Sequence, residues 1–203
     1  MSLKKKLDQS IGQWALLNSR FYTAWNAGKL PKSALAQYAA EYGSFIRLLP
    51  KGWDTLDDAE TAEEEHEHAE LWDVFARTLD AEVTAPTTPE VEDLIDTADR
   101  LFASPAAAMG AMYAFEAQQP ETAATKLEGL RQYYPVPVEG EEYFKVHAVN
   151  HHESEKLLAG MAQLTGEEEA EALRACEQMS KALWDALDGI YDASMEEHQA
   201  AGD

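Results

Sequence analysis

Histidine and glutamate side chains gather in two short windows of this 203-residue chain. One window holds His66 and His68, the other holds His147, His151 and His152, and both are rich in glutamate. Imidazole with carboxylate favours an iron or manganese pair, whereas structural zinc favours cysteine, and magnesium or calcium favour carboxylates and carbonyls without imidazole. The two windows therefore predict a dimetal carboxylate site.

The second window supplies ligands if one helix runs through it, and we predict a helix from about residue 139 to 164. His147, His151 and Glu155 then lie at i, i+4 and i+8 along one stripe, with Ser154 on the same side. Neighbours four residues apart on a helix reach a common ion or two adjacent ions. Three residues are predicted to face solvent instead: His152, Glu153 and Lys156.

The first window places a carboxylate and an imidazole on one face of a predicted helix from about residue 56 to 79. Glu65 and His68 form an E-x-x-H pair, and Glu64 with His68 is the alternative at i+4. A run of acidic residues is usually only a solvated face, and we interpret His66 in that way. The window becomes informative because other helices offer similar groups beside apolar surface.

A third carboxylate stands in an apolar segment, AAAMGAMYAFEA, which covers residues 106–117. Glu116 is its only charged side chain, four residues after Met112 and three after Tyr113. An isolated buried carboxylate is costly unless it is paired, protonated or bound to a metal. We therefore predict that Glu116 is a metal ligand, and the alternative is a position at the edge of the apolar face, in contact with water.

Apolar residues recur at helical spacing through nearly the whole chain, with no convincing run of alternating β-branched residues. We therefore predict an all-α bundle of about seven helices in a single domain, residues 1–203. The predicted helices cover about 8–27, a second stretch to about 49, 56–79, a segment around 94–102, a segment from Pro105 that Pro120 kinks or divides, 139–164, and 167 into the 190s.

Charge and composition exclude several classes of protein. The chain carries 38 acidic against 16 basic residues, a formal net charge of -22, which repels nucleic acids and anionic membranes. Polar residues follow the basic residues 4–6 where a signal peptide needs an apolar run, and no stretch is long and apolar enough for a spanning helix. The lone Cys176 forms no internal disulfide, as is usual for proteins of the cytoplasm. We therefore expect a cytoplasmic protein, and the net charge predicts that it binds neither nucleic acid nor membrane.

Four segments carry a resemblance to a known superfamily, from about Phe21 to Glu155. The opening helices of haem-oxygenase-like proteins such as TenA and PqqC are similar to FYTAWNAGKLPKSALAQYAAEY. The CADD-like branch of dimetal oxidases and oxygenases resembles HAELWDVFARTL, YAFEAQQPETAATKLEGLRQYY and YFKVH. The resemblance implies a haem-oxygenase-like bundle and a non-haem centre of two iron ions, with manganese possible, that activates O2 to oxidise a small organic substrate.

Three ligand positions of the family match this chain directly: Glu116, His68 and His147. Members usually have Asp four residues after the last of these, where this chain has His151, and a second His further on, where it has Ser154 or Glu155. Members also often have glutamate at the position of Thr61, so Glu64 or Glu65 would have to substitute. The departures leave open an altered ligand set or a weakened site with one metal ion.

Tyr22 and Lys126 match two positions of a sub-branch that makes p-aminobenzoate at the expense of its own tyrosine and a lysine. By this resemblance both residues are catalytic, and Tyr22 is itself consumed. A tyrosine in the first helix is also commonly a core residue, and a lysine at this spacing could simply pair with Glu121 or Glu128.

Two alternatives come from other classes of protein. A metal-free enzyme of the TenA or PqqC kind would use acidic and aromatic pocket residues for acid–base chemistry, and a binding protein of the same fold would present its acidic surface to a partner. Haem oxygenases are disfavoured because no histidine precedes residue 66, and TenA thiaminases because Cys176 lies in an apolar helical pattern. Proteins of this fold are often homodimers, so a homodimer is the assembly to test.

Overall fold

The computed structural model describes residues 1–202, and every regular element in that range is helical. Two short 3-10 helices, Leu16–Asn18 and Val138–Glu141, accompany eleven α-helices. The α-helices are α1 Leu3–Gln13, α2 Arg20–Asn26, α3 Lys32–Ile46, α4 Leu49–Thr55, α5 Ala59–Thr78, α6 Pro89–Leu101, α7 Pro105–Glu116, α8 Gln119–Tyr133, α9 Glu142–His147, α10 His152–Met161 and α11 Gly166–Gly202. The all-α prediction is confirmed.

Eight of the described helices have ten residues or more. Of the three shorter ones, α2 and α9 are pieces of longer predicted helices, whereas α4 lies between the second and third predicted helices. Each piece begins at a local signal. Ser19 caps α2 by accepting a hydrogen bond from the Tyr22 backbone N–H, and Pro50 stands in the first turn of α4. Asp58 caps α5 in the same manner as Ser19.

The predicted continuous helix over 139–164 is wrong. The chain leaves helical geometry after α9 and resumes it at His152, so that residues 148–151 separate α9 from α10. The Asn150 side chain accepts a hydrogen bond from the backbone N–H of His152 at 3.2 Å and donates one to Glu153 at 2.5 Å. These side-chain bonds start a new helix in place of continuing the old one.

Helix α7 lies inside the bundle, and its residues are buried from Ala106 almost without interruption to Glu116. It packs so closely on α11 that a Cβ atom at Gly110 would lie 1.9 Å from the Ala172 carbonyl oxygen. The helix therefore carries Glu116, at its C-terminal end, into the interior. None of the helices in the described residues is both long and apolar enough to cross a membrane.

Candidate metal centre

Helices α5 and α9 bring two imidazoles and a carboxylate together inside the bundle. Glu65 is 1% exposed, and its Oε1 lies 3.3 Å from Nδ1 of His68, one helical turn further along. The His147 ring, on α9, lies with its centroid 4.4 Å from that of His68. Each of the three residues offers a ligand atom within 4.8 Å of the others. The structure thus places three of the predicted ligands around one point.

The orientation of His147 is set by its own helix. Its Nδ1 donates a hydrogen bond to the carbonyl oxygen of Tyr143, 2.7 Å away, which leaves Nε2 as the nitrogen with a free lone pair. A backbone partner on one ring nitrogen is the usual way in which proteins fix a histidine for metal binding through the other.

Glu116 enters the same region from the end of α7 and is 4% exposed. The charges of Glu65 and Glu153 bear on it directly. Two buried oxygens, Glu116 Oε1 and Glu65 Oε2, have no hydrogen-bond partner among the described residues. Buried carboxylate oxygens without donors are costly, and a cation is one of the few groups that satisfies them.

Glu153 is the carboxylate that the sequence reasoning missed. The sequence predicts that Glu153 faces solvent, yet the residue lies in α10 with only 3% of its surface exposed. The prediction was wrong because the break at residues 148–151 changes the face on which every residue of α10 lies. Asn150 three residues before Glu153 is a pattern typical of a helix start, and this signal could have found it.

The remaining predicted ligands lie outside this group. His151 and Glu155 are exposed, and Ser154 is half-buried, because the stripe at i, i+4 and i+8 does not exist once the helix is broken. Glu64 is half-buried and faces His152, whose Nε2 lies 3.5 Å from Glu64 Oε2. We use "buried cluster" for five residues: Glu65, His68 and His147, which share one point, and the buried Glu116 and Glu153, which interact with them electrostatically.

The pKa values in the buried cluster reflect burial from solvent and an excess of negative charge. Burial raises the pKa of Glu116 far above its usual value, and the charges of Glu65 and Glu153 raise it further. Burial likewise raises the pKa of Glu65, although His68 opposes this. For His68, burial lowers the pKa, but the neighbouring glutamates outweigh it and the net shift is upward. Burial, aided by the charges of His68 and Lys126, lowers the pKa of His147 to about 3.

The buried cluster fits the iron or manganese that the sequence predicts. Three carboxylates and two imidazoles form a mixed oxygen and nitrogen donor set, without cysteine, that suits these ions. Thr61, at the upstream position, is buried but is not a carboxylate, and its hydroxyl lies 2.6 Å from the Lys156 ammonium. The candidate ligand set of this chain therefore differs, at Thr61 and at Glu153, from the set that the resemblance implies.

Tyr22 and Lys126 meet in the aromatic interior. The Lys126 ammonium nitrogen lies 5.5 Å from the Tyr22 ring centroid and 3.3 Å from the Tyr38 hydroxyl, which is 3.2 Å from the Tyr22 hydroxyl. Lys126 is 2% exposed and pairs with neither Glu121 nor Glu128. Because burial disfavours its charged form, its pKa is lowered to about 7.

A series of ring contacts runs from this pair to the buried cluster. Tyr38 packs on Trp72 with centroids 5.3 Å apart, Trp72 on Tyr143 at 4.8 Å, and Tyr143 on His147 at 4.1 Å. Sequence reasoning assigned no role to Tyr38, since a tyrosine on an apolar helix face looks like core. Cys176, by contrast, is buried as predicted, and burial raises its thiol pKa to about 12.

Comparisons with known proteins identify the family of this chain. Residues 42–185 match the profile of a family described as "Iron-containing redox enzyme". A 4-aminobenzoate synthase of Nitrosomonas europaea is 31% identical, over 94% of this chain and 92% of that protein. A 4-aminobenzoate synthase of Chlamydia pneumoniae is 29% identical, over 93% of this chain and 94% of that protein.

Solved structures agree on the fold. A domain of unknown function with a haem-oxygenase-like fold from Shewanella denitrificans superposes with a TM-score of 0.78 at 17% identity, covering 100% of this chain and 96% of that one. A CADD-like protein of unknown function from Nostoc punctiforme gives 0.71 at 18% identity, covering 96% and 95%. The predicted haem-oxygenase-like fold is confirmed.

Proposed function

The chain belongs to the family of iron-containing redox enzymes and is an oxidoreductase, and we propose that it holds two iron ions in the buried cluster and uses O2 to make 4-aminobenzoate from its own Tyr22 and Lys126. The 4-aminobenzoate synthases to which it is similar support the product. The observation that carries the proposal is the pair of buried carboxylate oxygens, Glu65 Oε2 and Glu116 Oε1, that have no partner among the described residues.

The five residues of the buried cluster are the proposed ligands. Three carboxylates, each with two oxygens, and two imidazoles provide more donor atoms than one ion of this kind takes, which supports two ions. Manganese accepts the same donors and remains an alternative occupant of either position. Iron, when bound, supplies the one-electron chemistry with O2 that amino-acid side chains lack.

Lys126 provides the nitrogen atom in this proposal, and Tyr22 provides the aromatic ring and its Cβ atom. The Lys126 Nζ–Cε bond and the Tyr22 ring C–O and Cα–Cβ bonds break, and nitrogen bonds to the ring carbon that carried the hydroxyl, whose oxygen leaves as water. Cβ becomes the carboxylate carbon, and O2 takes up the electrons that this oxidation releases. A pKa of about 7 keeps a large fraction of Lys126 as the neutral amine near neutral pH, and only the neutral amine has a lone pair with which to form a bond to carbon. Its position above the Tyr22 ring, 5.5 Å from the centroid, supports a reaction between the two side chains.

Packing holds Lys126 in place. The Trp25 indole N–H donates to the Lys126 carbonyl oxygen at 3.3 Å, and Trp25 packs so tightly on α8 that a Cβ atom at Gly129 would lie 2.3 Å from the same indole nitrogen. The side chain therefore starts from a fixed backbone, and its surroundings exclude water. Both features favour reaction within the chain over reaction with a molecule from solution.

The ring contacts offer a route for electrons between the two parts of the site. Tyr38 joins Tyr22 through the 3.2 Å hydroxyl contact, and Trp72 and Tyr143 continue the series to His147. Tyrosine and tryptophan are the side chains that lose an electron most readily, so the series supports oxidation of Tyr22 at a distance from the buried cluster.

The test combines metal analysis with product analysis. Metal-free protein is loaded with ferrous iron under nitrogen, exposed to O2, and assayed for bound iron and for 4-aminobenzoate by mass spectrometry. Glu116→Gln, which keeps the shape but removes the charge, is expected to lose both, whereas Glu121→Gln, an exposed residue of α8, is expected to match wild type. Equal iron binding by Glu116→Gln and wild type would contradict the assignment.

Three further expectations stay predictions: a homodimer, a cytoplasmic location, and a single domain over residues 1–203. Light scattering on purified protein tests the first, and limited proteolysis tests the third.

A further inference from the structure

A second group of possible ligands lies at the surface and shares one residue with the buried cluster. His152 Nε2 is 3.5 Å from Glu64 Oε2 and 3.5 Å from Glu153 Oε1. All three residues offer ligand atoms within 4.8 Å of one another. The side chains of His152 and Glu64 are 52% and 42% exposed, whereas that of Glu153 is 4% exposed. The group therefore extends from solvent into the interior.

Glu153 connects the two groups electrostatically. Its charge raises the pKa of Glu65 and Glu116 and contributes to the raised pKa of His68. Glu64 acts in the same direction on Glu65 and His68. The negative charge of the buried cluster therefore also attracts a positive ion that lies beside Glu64 and Glu153.

Among the described residues, no lysine or arginine pairs with Glu64 or Glu153. Lys156, one turn beyond Glu153, is instead bound to Asp58 at 3.2 Å and to Thr61 at 2.6 Å. Two carboxylates, each 3.5 Å from the same imidazole nitrogen, form with it a donor set for a divalent transition-metal ion. The unpartnered oxygens of Glu65 and Glu116, further inside, independently indicate that a cation has to reach the interior.

We propose that Glu64, His152 and Glu153 form a capture site, which binds a divalent iron or manganese ion from solution and passes it to the buried cluster. The inference rests on the proposed function. Glu153 stays bound during the transfer, while the ion exchanges His152 and Glu64 for Glu65 and His68. The capture site sets the rate of loading, and the buried cluster sets the final occupancy.

The experiment measures the rate of metal loading and the final metal occupancy separately. Co2+ is the probe, since its visible absorption reports the ligands around it. Metal-free full-length protein is mixed with Co2+ in a stopped-flow instrument. His152→Ala and Glu64→Gln are compared with His66→Ala and Glu63→Gln, which alter exposed positions of α5 outside the capture site. Circular dichroism of each metal-free variant verifies that it is folded.

The capture-site variants are expected to bind Co2+ about tenfold more slowly than wild type, which is at the lower end of the effect of focused charge on association rates. Their final absorbance is expected to equal that of wild type. The two control variants are expected to match wild type. Equal loading rates for all proteins would overturn the inference alone. A lower final absorbance in His152→Ala would also overturn it, because His152 would then belong to the final ligand set. No Co2+ uptake by wild type would overturn the proposed function and this inference with it.

Discussion

The imidazole rings of His68 on α5 and His147 on α9 meet edge to face, with an interplanar angle of 62°. Each ring is held by a partner of its own, Glu65 for His68 and the Tyr143 carbonyl for His147. These partners fix the orientation of both rings, which lowers the reorganisation that metal binding would require.

Glu153 is the proposed ligand that distinguishes the structure from the sequence pattern, so Glu153→Gln tests the structure directly. Removing this charged donor is expected to weaken ferrous-iron binding at least about tenfold. Glu155→Gln, two residues away and exposed, is the matched control and should bind as wild type does. Competition with a coloured chelator measures both affinities. A larger loss of iron affinity in Glu155→Gln than in Glu153→Gln would contradict the structure and favour the uninterrupted helix that the sequence predicts.

Lys126→Met is expected to abolish 4-aminobenzoate formation and yet to stabilise the protein. The lysine pKa is about 7 in the folded state and about 10.4 when unfolded, so the unfolded chain binds more protons between these values. Charged Lys126 therefore opposes folding, and its removal should raise the free energy of unfolding at pH 7 by on the order of 4 kcal/mol. Urea titration measures the change.

The same variant has a specific pH signature. Wild-type stability should rise relative to Lys126→Met as the pH increases from 7 towards 10, because the unfolded state loses its extra proton over that interval. Lys5→Met, at an exposed position of α1, should show no such difference. If the difference in the free energy of unfolding between wild type and Lys126→Met did not change with pH, Lys126 would have the same pKa in the folded and unfolded states.

Glu41 anchors the loop before α6 and is the basis of an acid-stability prediction. Its carboxylate accepts hydrogen bonds from the backbone N–H groups of Thr87 and Thr88, at 3.2 and 2.9 Å. Burial works to raise the Glu41 pKa, but the bonds from Thr88, Thr87 and Gln37 outweigh it and hold the pKa below its usual value. Glu41→Gln should cost about 1–3 kcal/mol at neutral pH.

The sign of the pH effect follows from the lowered pKa. The stabilisation by Glu41 is complete above the ordinary glutamate pKa of about 4.3 and is lost as the pH falls towards the lower value of the folded state. Wild type and Glu41→Gln should thus converge in stability as the solution becomes acidic. Glu92→Gln, on the exposed face of α6, should follow wild type throughout.

Gly110→Ala tests the close approach of α7 and α11. The added methyl group would meet the Ala172 carbonyl oxygen at 1.9 Å, a backbone atom that cannot move aside without shifting α11. Overpacking of this kind is expected to cost about 1–3 kcal/mol. Gly12→Ala, in α1 with nothing within 4 Å of the new atom, should instead stabilise by about 0.5–1 kcal/mol. Thermal unfolding measures both, and equal effects would contradict the packing.

The sequence was sufficient for the parts of the site that depend on residue type and regular helix geometry. Glu65 with His68 needs only an i+3 spacing, and Glu116 needs only an apolar neighbourhood. His151 and Glu155 were misplaced because side-chain hydrogen bonds from Asn150 end one helix and begin another, and such a break rotates all that follows. Long-range contacts such as Tyr38 with Lys126 lie beyond any local pattern.

The origin of the product is the most direct test of the proposed function. Protein is produced with carbon-13 in the tyrosine rings, loaded with ferrous iron, exposed to O2 in unlabelled buffer, and digested for peptide mass analysis alongside the released 4-aminobenzoate. The account predicts labelled 4-aminobenzoate and a matching loss of the side chain at Tyr22. Unlabelled product, or labelled product from a Tyr22→Phe variant, would contradict it.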